Sequence, residues 1–236
     1  MKKLNILGII PSRGGSKGVP QKNIKLLGGK PLISYTIASA KKSRWITQLI
    51  VSTDHPTIAS IARECGATVP SLRPAELATD KALIIDVIKH LLKECETRDK
   101  VQYDVIALLQ PTTPLKSVED IDGTIQKLVE TGCDSVVTVV DVGANHPARM
   151  YTIQEDRMVN VLDEGIAMRP RQELPQVYIR SGAVYACTRE TVIKQNSLIG
   201  KDCRPYIMPE ERSVNIDCLR DFYMAEYFLG QNLENS

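Results

Sequence analysis

The 236-residue chain is 43% hydrophobic and 25% charged, an ordinary globular composition that excludes a disordered class and supplies apolar material for a real core. A formal net charge of +2 argues against general nucleic-acid binding, and no apolar run reaches ~18 residues, so no membrane span is expected. The small total hides polarity: the first 53 residues hold ten Lys and Arg and no Asp or Glu, an electropositive segment suited to small polyanions, and the rest of the chain is net acidic.

The apolar run Ile6 to Ile10 predicts a strand buried on both faces, running into the basic turn Pro11-Ser12-Arg13-Gly14-Gly15-Ser16-Lys17-Gly18. Three glycines predict positive φ and amide groups that converge on an anion, with Arg13, Lys17 and Lys22 around it. The plain alternative is a solvated surface loop. The order of Gly, Lys and Ser fits neither a Walker motif nor G-x-G-x-x-G, so the common kinase and dinucleotide readings lose their support. Met1-Lys2-Lys3 precedes an apolar run interrupted by Asn5 and Gly8 with no cleavage signal, and the expectation is a cytoplasmic protein. Six cysteines without C-x-x-C or metal spacing are expected to be reduced and mostly buried.

Pro31 opens a helical stretch carrying Leu32, Ile33, Tyr35, Ile37 and Ala38; Gln48 to Ser52 is a second strand, Pro56 to Cys65 a helix closed by Gly66, and Ala67 to Val69 a short third strand. Leu83 to Cys95 is strongly amphipathic, and Asp104 to Leu109 is a buried strand ending at Gln110-Pro111-Thr112-Thr113-Pro114. Ser117 and Asp120 cap a helix that Gly132 stops, before the strand Asp134 to Val140. The alternation predicts βαβ units, a mostly parallel doubly wound α/β sheet in one domain over 1–236, and ligands at the carboxyl ends of the strands. From 141 to 176 there is no long helix, only hairpin-like pieces and a Pro- and Arg-rich run, read as an inserted flap or arm. Strands at Tyr178 to Cys187 and near Tyr206 to Met208, a short helix at Arg189 to Gln195 and a final helix from Leu219 to Leu229 complete the chain.

With these segments in order, the chain resembles the acylneuraminate cytidylyltransferases. The motifs that carry the resemblance are Ile10-Pro11-x-Arg13-x-Gly15-Ser16-Lys17 with Lys22-Asn23; Arg73-Pro74 with Leu77-Ala78-Thr79-Asp80; Leu109 to Leu115; Arg171-Gln172-Glu173-Leu174-Pro175 with Gly182-Ala183-Val184-Tyr185; and Ile216-Asp217 with Asp221. The resemblance spans essentially the whole chain. It implies a Rossmann-like nucleotidyltransferase fold with a dimerising arm, and a homodimer that joins CTP to a nine-carbon acidic sugar of sialic or legionaminic type, with Mg²⁺.

By the same resemblance Arg13 and Lys22 hold the triphosphate, Ser16 and Lys17 belong to the same turn, and Asn23 and Arg73 lie near the base. Asp217 is the metal ligand; the family's second aspartate is replaced here by Asn215, able to offer a neutral oxygen. Gln110, Arg171 and Gln172 go to the acid, Arg171 as a bidentate partner for its carboxylate, with Arg169 as a rival. Ser181 stands where sialate enzymes carry Asn. Plain alternatives stand beside these roles: a solvated Arg-Pro turn at Arg73, a helix cap at Asp217 and surface positions for His55, His90 and His146. A related enzyme using GTP or another sugar, and a non-catalytic nucleotide-binding module, are the rival functions.

Overall fold

A computed structural model describes residues 3–16, 18–162 and 169–234. Strand β1 (Ile6–Pro11) is buried from Ile6 to Ile10 and leads through the basic turn into a 3-10 turn at Lys22–Ile24. Strands β2 (Leu26–Leu27) and β3 (Lys30–Pro31) form a tight hairpin on Gly28 and Gly29, both at positive φ as a two-residue reversal of this hand requires. Helix α1 (Leu32–Lys42), β4 (Gln48–Ser52), α2 (Pro56–Glu64), α3 (Ile84–Asp99) and β5 (Val105–Leu109) follow. Where a third strand was expected, Thr68 makes only an isolated parallel bridge to Ile50, too short to extend the ladder. The amphipathic stretch beginning at Leu83 folds as α3, burying Ile85, Val87, Ile88, Leu91, Leu92 and Cys95.

Helix α4 (Val118–Thr131) has the expected ends: Ser117 and Asp120 close a reciprocal capping box, and Gly132 takes φ 62° beyond the last turn. Strand β6 (Ser135–Asp141) is followed by the arm, whose hairpin β7 (Tyr151–Gln154) and β8 (Arg157–Asn160) forms a separate two-stranded sheet. Then come β9 (Tyr178–Thr188), α5 (Arg189–Ile193), β10 (Cys203–Ile207) and α6 (Leu219–Glu234). The cysteine expectation holds in part: Cys95, Cys133 and Cys187 are buried thiols, Cys65 is half-buried, and Cys203 and Cys218 are exposed.

The main sheet runs β10-β6-β9-β5-β1-β4. Strands β4, β1 and β5 are mutually parallel, β10 is parallel to β6, and β9 runs antiparallel between β5 and β6. The reversal follows from the arm. A parallel return requires a crossover, usually a helix, whereas the arm, whose described part is the β7–β8 hairpin and short 3-10 turns, brings Tyr178 back beside Asp141 as a long hairpin would. One apolar layer joins Ile6, Ile10 and Val51 to Ile33, Ile37, Ile58, Ile121 and Ile125; the opposite layer joins Leu7, Ile9, Ile106 and Leu108 to Ile88, Leu91 and Leu92 of α3. A third cluster packs Leu27, Leu32 and Leu115 under Ile216, Phe222 and Ala225 and thereby seats α6. From β1 the chain winds to β4 on one side and later to β5 on the other, so the carboxyl ends of β1 and β5 mark the switch point where a doubly wound sheet opens a crevice.

Candidate active site

A cavity of about 440 Å³ occupies that crevice. Pro11, Arg13, Ser16, Gly18, Lys22 and Asn23 line it from the end of β1 and the first turn, Arg73, Thr79 and Asp80 from the segment after α2, and Gln110 and Thr112 from the end of β5. Asp217 closes it from the loop ahead of α6. Two strand ends and two remote loops thus converge on one space.

The turn after β1 is built differently from the anion nest expected of it. The Ser12 N–H continues the ladder to the Ser52 carbonyl at 2.8 Å, the Gly14 N–H is spent on Asp54 Oδ1 at 2.8 Å, and the Ser16 N–H bonds the Gly14 carbonyl at 3.2 Å. Neither Gly14 nor Gly15 takes the positive φ anticipated for them. The glycine with a steric reason is Gly18, where a Cβ would stand 2.2 Å from the Asp217 carbonyl oxygen, so a bare backbone is what lets the two loops touch. Lys17 lies outside the described residues. Positive charge therefore reaches the cavity on side chains, chiefly Arg13 and Lys22.

Lys22 spans the two loops. Its ammonium donates to the Ile216 carbonyl at 2.5 Å and to Asp217 Oδ1 at 3.3 Å, while the Asn215 amide donates to Asp217 Oδ2 at 2.7 Å. The loop is fixed from below by the Ile216 N–H on the Thr112 carbonyl at 2.7 Å. Asp217 does not cap α6: Asp221 does, accepting the N–H groups of Asp217 and Cys218 at 2.8 Å each. Burial raises the Asp221 pKa, but those two donors outweigh it and hold the carboxyl below its ordinary value. The helix-cap alternative thus passes from Asp217 to Asp221, and Asp217 is left exposed on the cavity wall.

Arg13 pairs with Asp80 at 2.7 Å, both partly exposed. Such a pair is worth only ~0–1 kcal/mol, so Asp80 holds Arg13 weakly. Arg73 is not a solvated turn: its N–H bonds the Thr53 carbonyl at 2.7 Å, and its guanidinium bonds Ser52 Oγ at 3.0 Å and the Ser52 carbonyl at 2.7 Å. Burial lowers its pKa, while Asp54 pulls upward and Arg13 downward. Asn23 is buried, donates to the Arg13 carbonyl at 3.1 Å and keeps Oδ1 without a hydrogen-bond partner among the described residues.

Gln110 sits where β5 ends, its N–H on the Ala183 carbonyl. Beneath it lies a residue the sequence reading passed over. Lys116 is 1% exposed and donates to Thr36 Oγ1 at 2.8 Å, to the Gln110 carbonyl at 2.8 Å and to the Thr113 carbonyl at 2.6 Å, so all three of its protons are used. Burial pushes its pKa down to about 7, with Asp120 acting in the opposite sense. In the sequence it stands between Leu115 and the Ser117 cap like any surface lysine, with no local pattern to mark it as buried. Asp120 itself is fully buried and receives Arg212 in a bidentate pair at 2.8 and 2.9 Å.

Among the described residues no arm side chain lines this cavity. Gln172 is exposed in the 3-10 turn Arg171–Glu173 and is absent from the lining, and the Arg171 side chain lies outside the described residues. His55 and His146 are turn caps, accepting from the N–H groups of Thr57 and Ala148, and His90 lies on α3. Among the described residues no three His, Cys, Asp or Glu side chains group around a common point. Beside Lys22, Asp217 offers an exposed carboxylate for a cation and Asn215 an amide oxygen. One such carboxylate suits Mg²⁺, which keeps waters and takes most of its remaining oxygens from a substrate. No helix is long and apolar enough to cross a membrane among the described residues.

A family model described as cytidylyltransferase matches residues 7–162. The chain belongs to the cytidylyltransferase family. This cytidylyltransferase is 33% identical to the CMP-N,N'-diacetyllegionaminic acid synthase of Legionella pneumophila, over 98% of the chain and 99% of that protein. It is 34% identical to the N-acylneuraminate cytidylyltransferase of Escherichia coli, over 94% of the chain and 52% of that longer protein. The resemblance to the acylneuraminate branch is thus borne out, the chain is an enzyme of that kind, and the reading as a non-catalytic module falls away. Among solved structures, a CMP:2-keto-3-deoxy-manno-octonic acid synthetase complexed with CTP superimposes with TM-score 0.69 at 16% identity, covering 97% of this cytidylyltransferase and 99% of that chain, a likeness of fold.

Proposed function

We propose that the protein joins CTP to a nonulosonic acid of sialic or legionaminic type, giving a CMP-sugar and pyrophosphate. The observation that carries this reading is the convergence of Arg13, Lys22 and Asp217 with Gln110 in one cavity at the switch point of the sheet. The sugar hydroxyl attacks the α-phosphorus in line, and charge grows on the leaving pyrophosphate as its bond breaks. Arg13 and Lys22 neutralise that charge from a preorganised position with Ser16 beside them, and the sequence of the turn adds Lys17 as a further cation. Asn23 and Arg73 face the nucleoside end, the unfilled Asn23 oxygen serving as an acceptor for a base or ribose donor. Gln110 takes the acid's polar substituents, and the arm carries Arg171 and Gln172 as further groups for the acid.

Asp217, with Asn215, would hold a Mg²⁺ brought in with the triphosphate, which supplies further charge neutralisation at the phosphates. We assign the arm to homodimer formation, since Ile153 and Met158 at its hairpin are 78% and 67% exposed, an apolar surface that a second copy would cover. The protein's place of work is proposed to be the cytoplasm, where its nucleotide is at hand. Pyrophosphate release measured with CTP, GTP, UTP and ATP against a panel of nine-carbon acids tests the proposal. Release with CTP and such an acid is expected; preference for another nucleotide, or for acids outside this class, overturns it.

A further inference from the structure

A second hollow of about 320 Å³ lies against the first, and Ile84 and Gln110 line both. Its far wall is made by Arg180, Tyr185, Asn196 and Leu198. Arg180 is exposed to this hollow and has no hydrogen-bond or ion-pair partner among the described residues, unlike Arg13, Arg73 and Arg212, each of which is tied down.

The aim of Arg180 comes from an irregularity in β9. The register with β6 jumps from Val137↔Tyr185 to Val139↔Arg180, so Ser181 to Val184 stand opposite the single residue Thr138. Gly182 takes φ 77° within this bulge, a conformation that side chains other than glycine resist. Thr138 Oγ1 pins both ends, accepting from Ser181 Oγ at 2.8 Å and from the Val184 N–H at 2.9 Å. Residues five apart on a regular strand point to opposite faces. The bulge puts Arg180 and Tyr185 on one wall, and the Gln110 side chain lies 3.4 Å from where a Cβ on Gly182 would stand. Across the hollow Asn196 accepts from Lys89 with its amide oxygen, which leaves its N–H groups as donors.

Resting on the function proposed above, we infer that Arg180 binds the carboxylate of the acceptor acid. In a nonulosonic acid the carboxylate and the reacting hydroxyl share one carbon. A cation gripping the carboxylate therefore fixes the nucleophile, and a guanidinium does so in a bidentate, planar way.

The test uses the acid that gives the fastest pyrophosphate release in the substrate panel, together with its methyl ester, and measures the binding of each. The wild-type protein should bind the free acid about tenfold or more tightly than the ester, as a charge-assisted pair requires. Arg180→Ala and Arg180→Gln should abolish that preference, raise KM for the acid and leave KM for CTP within about twofold, with an unchanged melting temperature. A preference that survives both substitutions overturns the inference. So does a preference lost in Arg171→Ala and kept in Arg180→Ala, which would leave the proposed function standing. If no nine-carbon acid yields pyrophosphate with CTP in the wild type, the function itself fails and the inference falls with it.

Discussion

Lys22 and Asp217 stand 195 positions apart in the chain and 3.3 Å apart in space, with the Lys22 ammonium also on the neighbouring Ile216 carbonyl. On the function proposed above, Lys22 is a phosphate-binding cation and Asp217 a metal-binding carboxylate, and each holds the other. On that reading an arriving triphosphate is expected to draw Lys22 away and to expose Asp217 to the cation that accompanies it. Nucleotide and metal are therefore expected to bind in mutual support.

Removal of either phosphate-binding cation should cost turnover and not stability. Arg13→Ala and Lys22→Ala are each expected to lower kcat by on the order of 10²-fold, the usual loss when preorganised charge at a transition state is deleted. Steady-state pyrophosphate release with circular dichroism of both variants checks this, and near-wild-type turnover in both would remove the first turn from the site.

The metal position is tested by charge. With one carboxylate and one amide oxygen, free protein should bind Mg²⁺ weakly. Asn215→Asp should lower the Mg²⁺ concentration for half-maximal activity, whereas Asp217→Asn should nearly abolish activity at any practical concentration. A Mg²⁺ titration at saturating substrates reads both. Substantial activity in Asp217→Asn would place the metal elsewhere.

The contact between Gly18 and the Asp217 carbonyl predicts a selective injury. A Cβ at Gly18 would stand 2.2 Å from that oxygen, against backbone that has no rotamer to move aside. Gly18→Ala should push the two loops apart, lower activity at least about tenfold, as small misplacements in a site do, and shift the melting temperature little. Full activity in Gly18→Ala would mean that the loops need not touch.

Lys116 gives a pH signature. Its folded pKa of about 7 lies below an unfolded value near ~10.4, so between these limits the unfolded chain holds the extra proton and stability rises with pH. Lys116→Met removes this titration and leaves the Gln110 and Thr113 carbonyls without their donor, at ~1–3 kcal/mol for an unsatisfied buried group. Urea unfolding of both proteins should show the wild type gaining on the variant as pH rises from about 7 toward about 10. A constant difference across that range would mean that Lys116 keeps an ordinary pKa in the fold.

By itself the sequence determined the alternation of buried strands and amphipathic helices, the Ser117–Asp120 cap, the stop at Gly132 and the basic turn after β1, because each of these is a local pattern of side-chain period or backbone preference. It also placed Arg13, Lys22, Gln110 and Asp217 among the candidates. The tertiary structure alone decided which groups meet. The antiparallel course of β9 depends on where the arm returns the chain, and the lack of a long helical pattern over 141–176 was its one trace in the sequence. The need for glycine at position 18 depends on a carbonyl some 200 residues away, and the aim of Arg180 depends on a bulge pinned by Thr138 in another strand. Lys116 looks in sequence like any surface lysine, and only the closing of α1 and the Gln110 turn around it gives its three protons acceptors. Contacts of this kind join residues with no common period along the chain, so no local pattern encodes them.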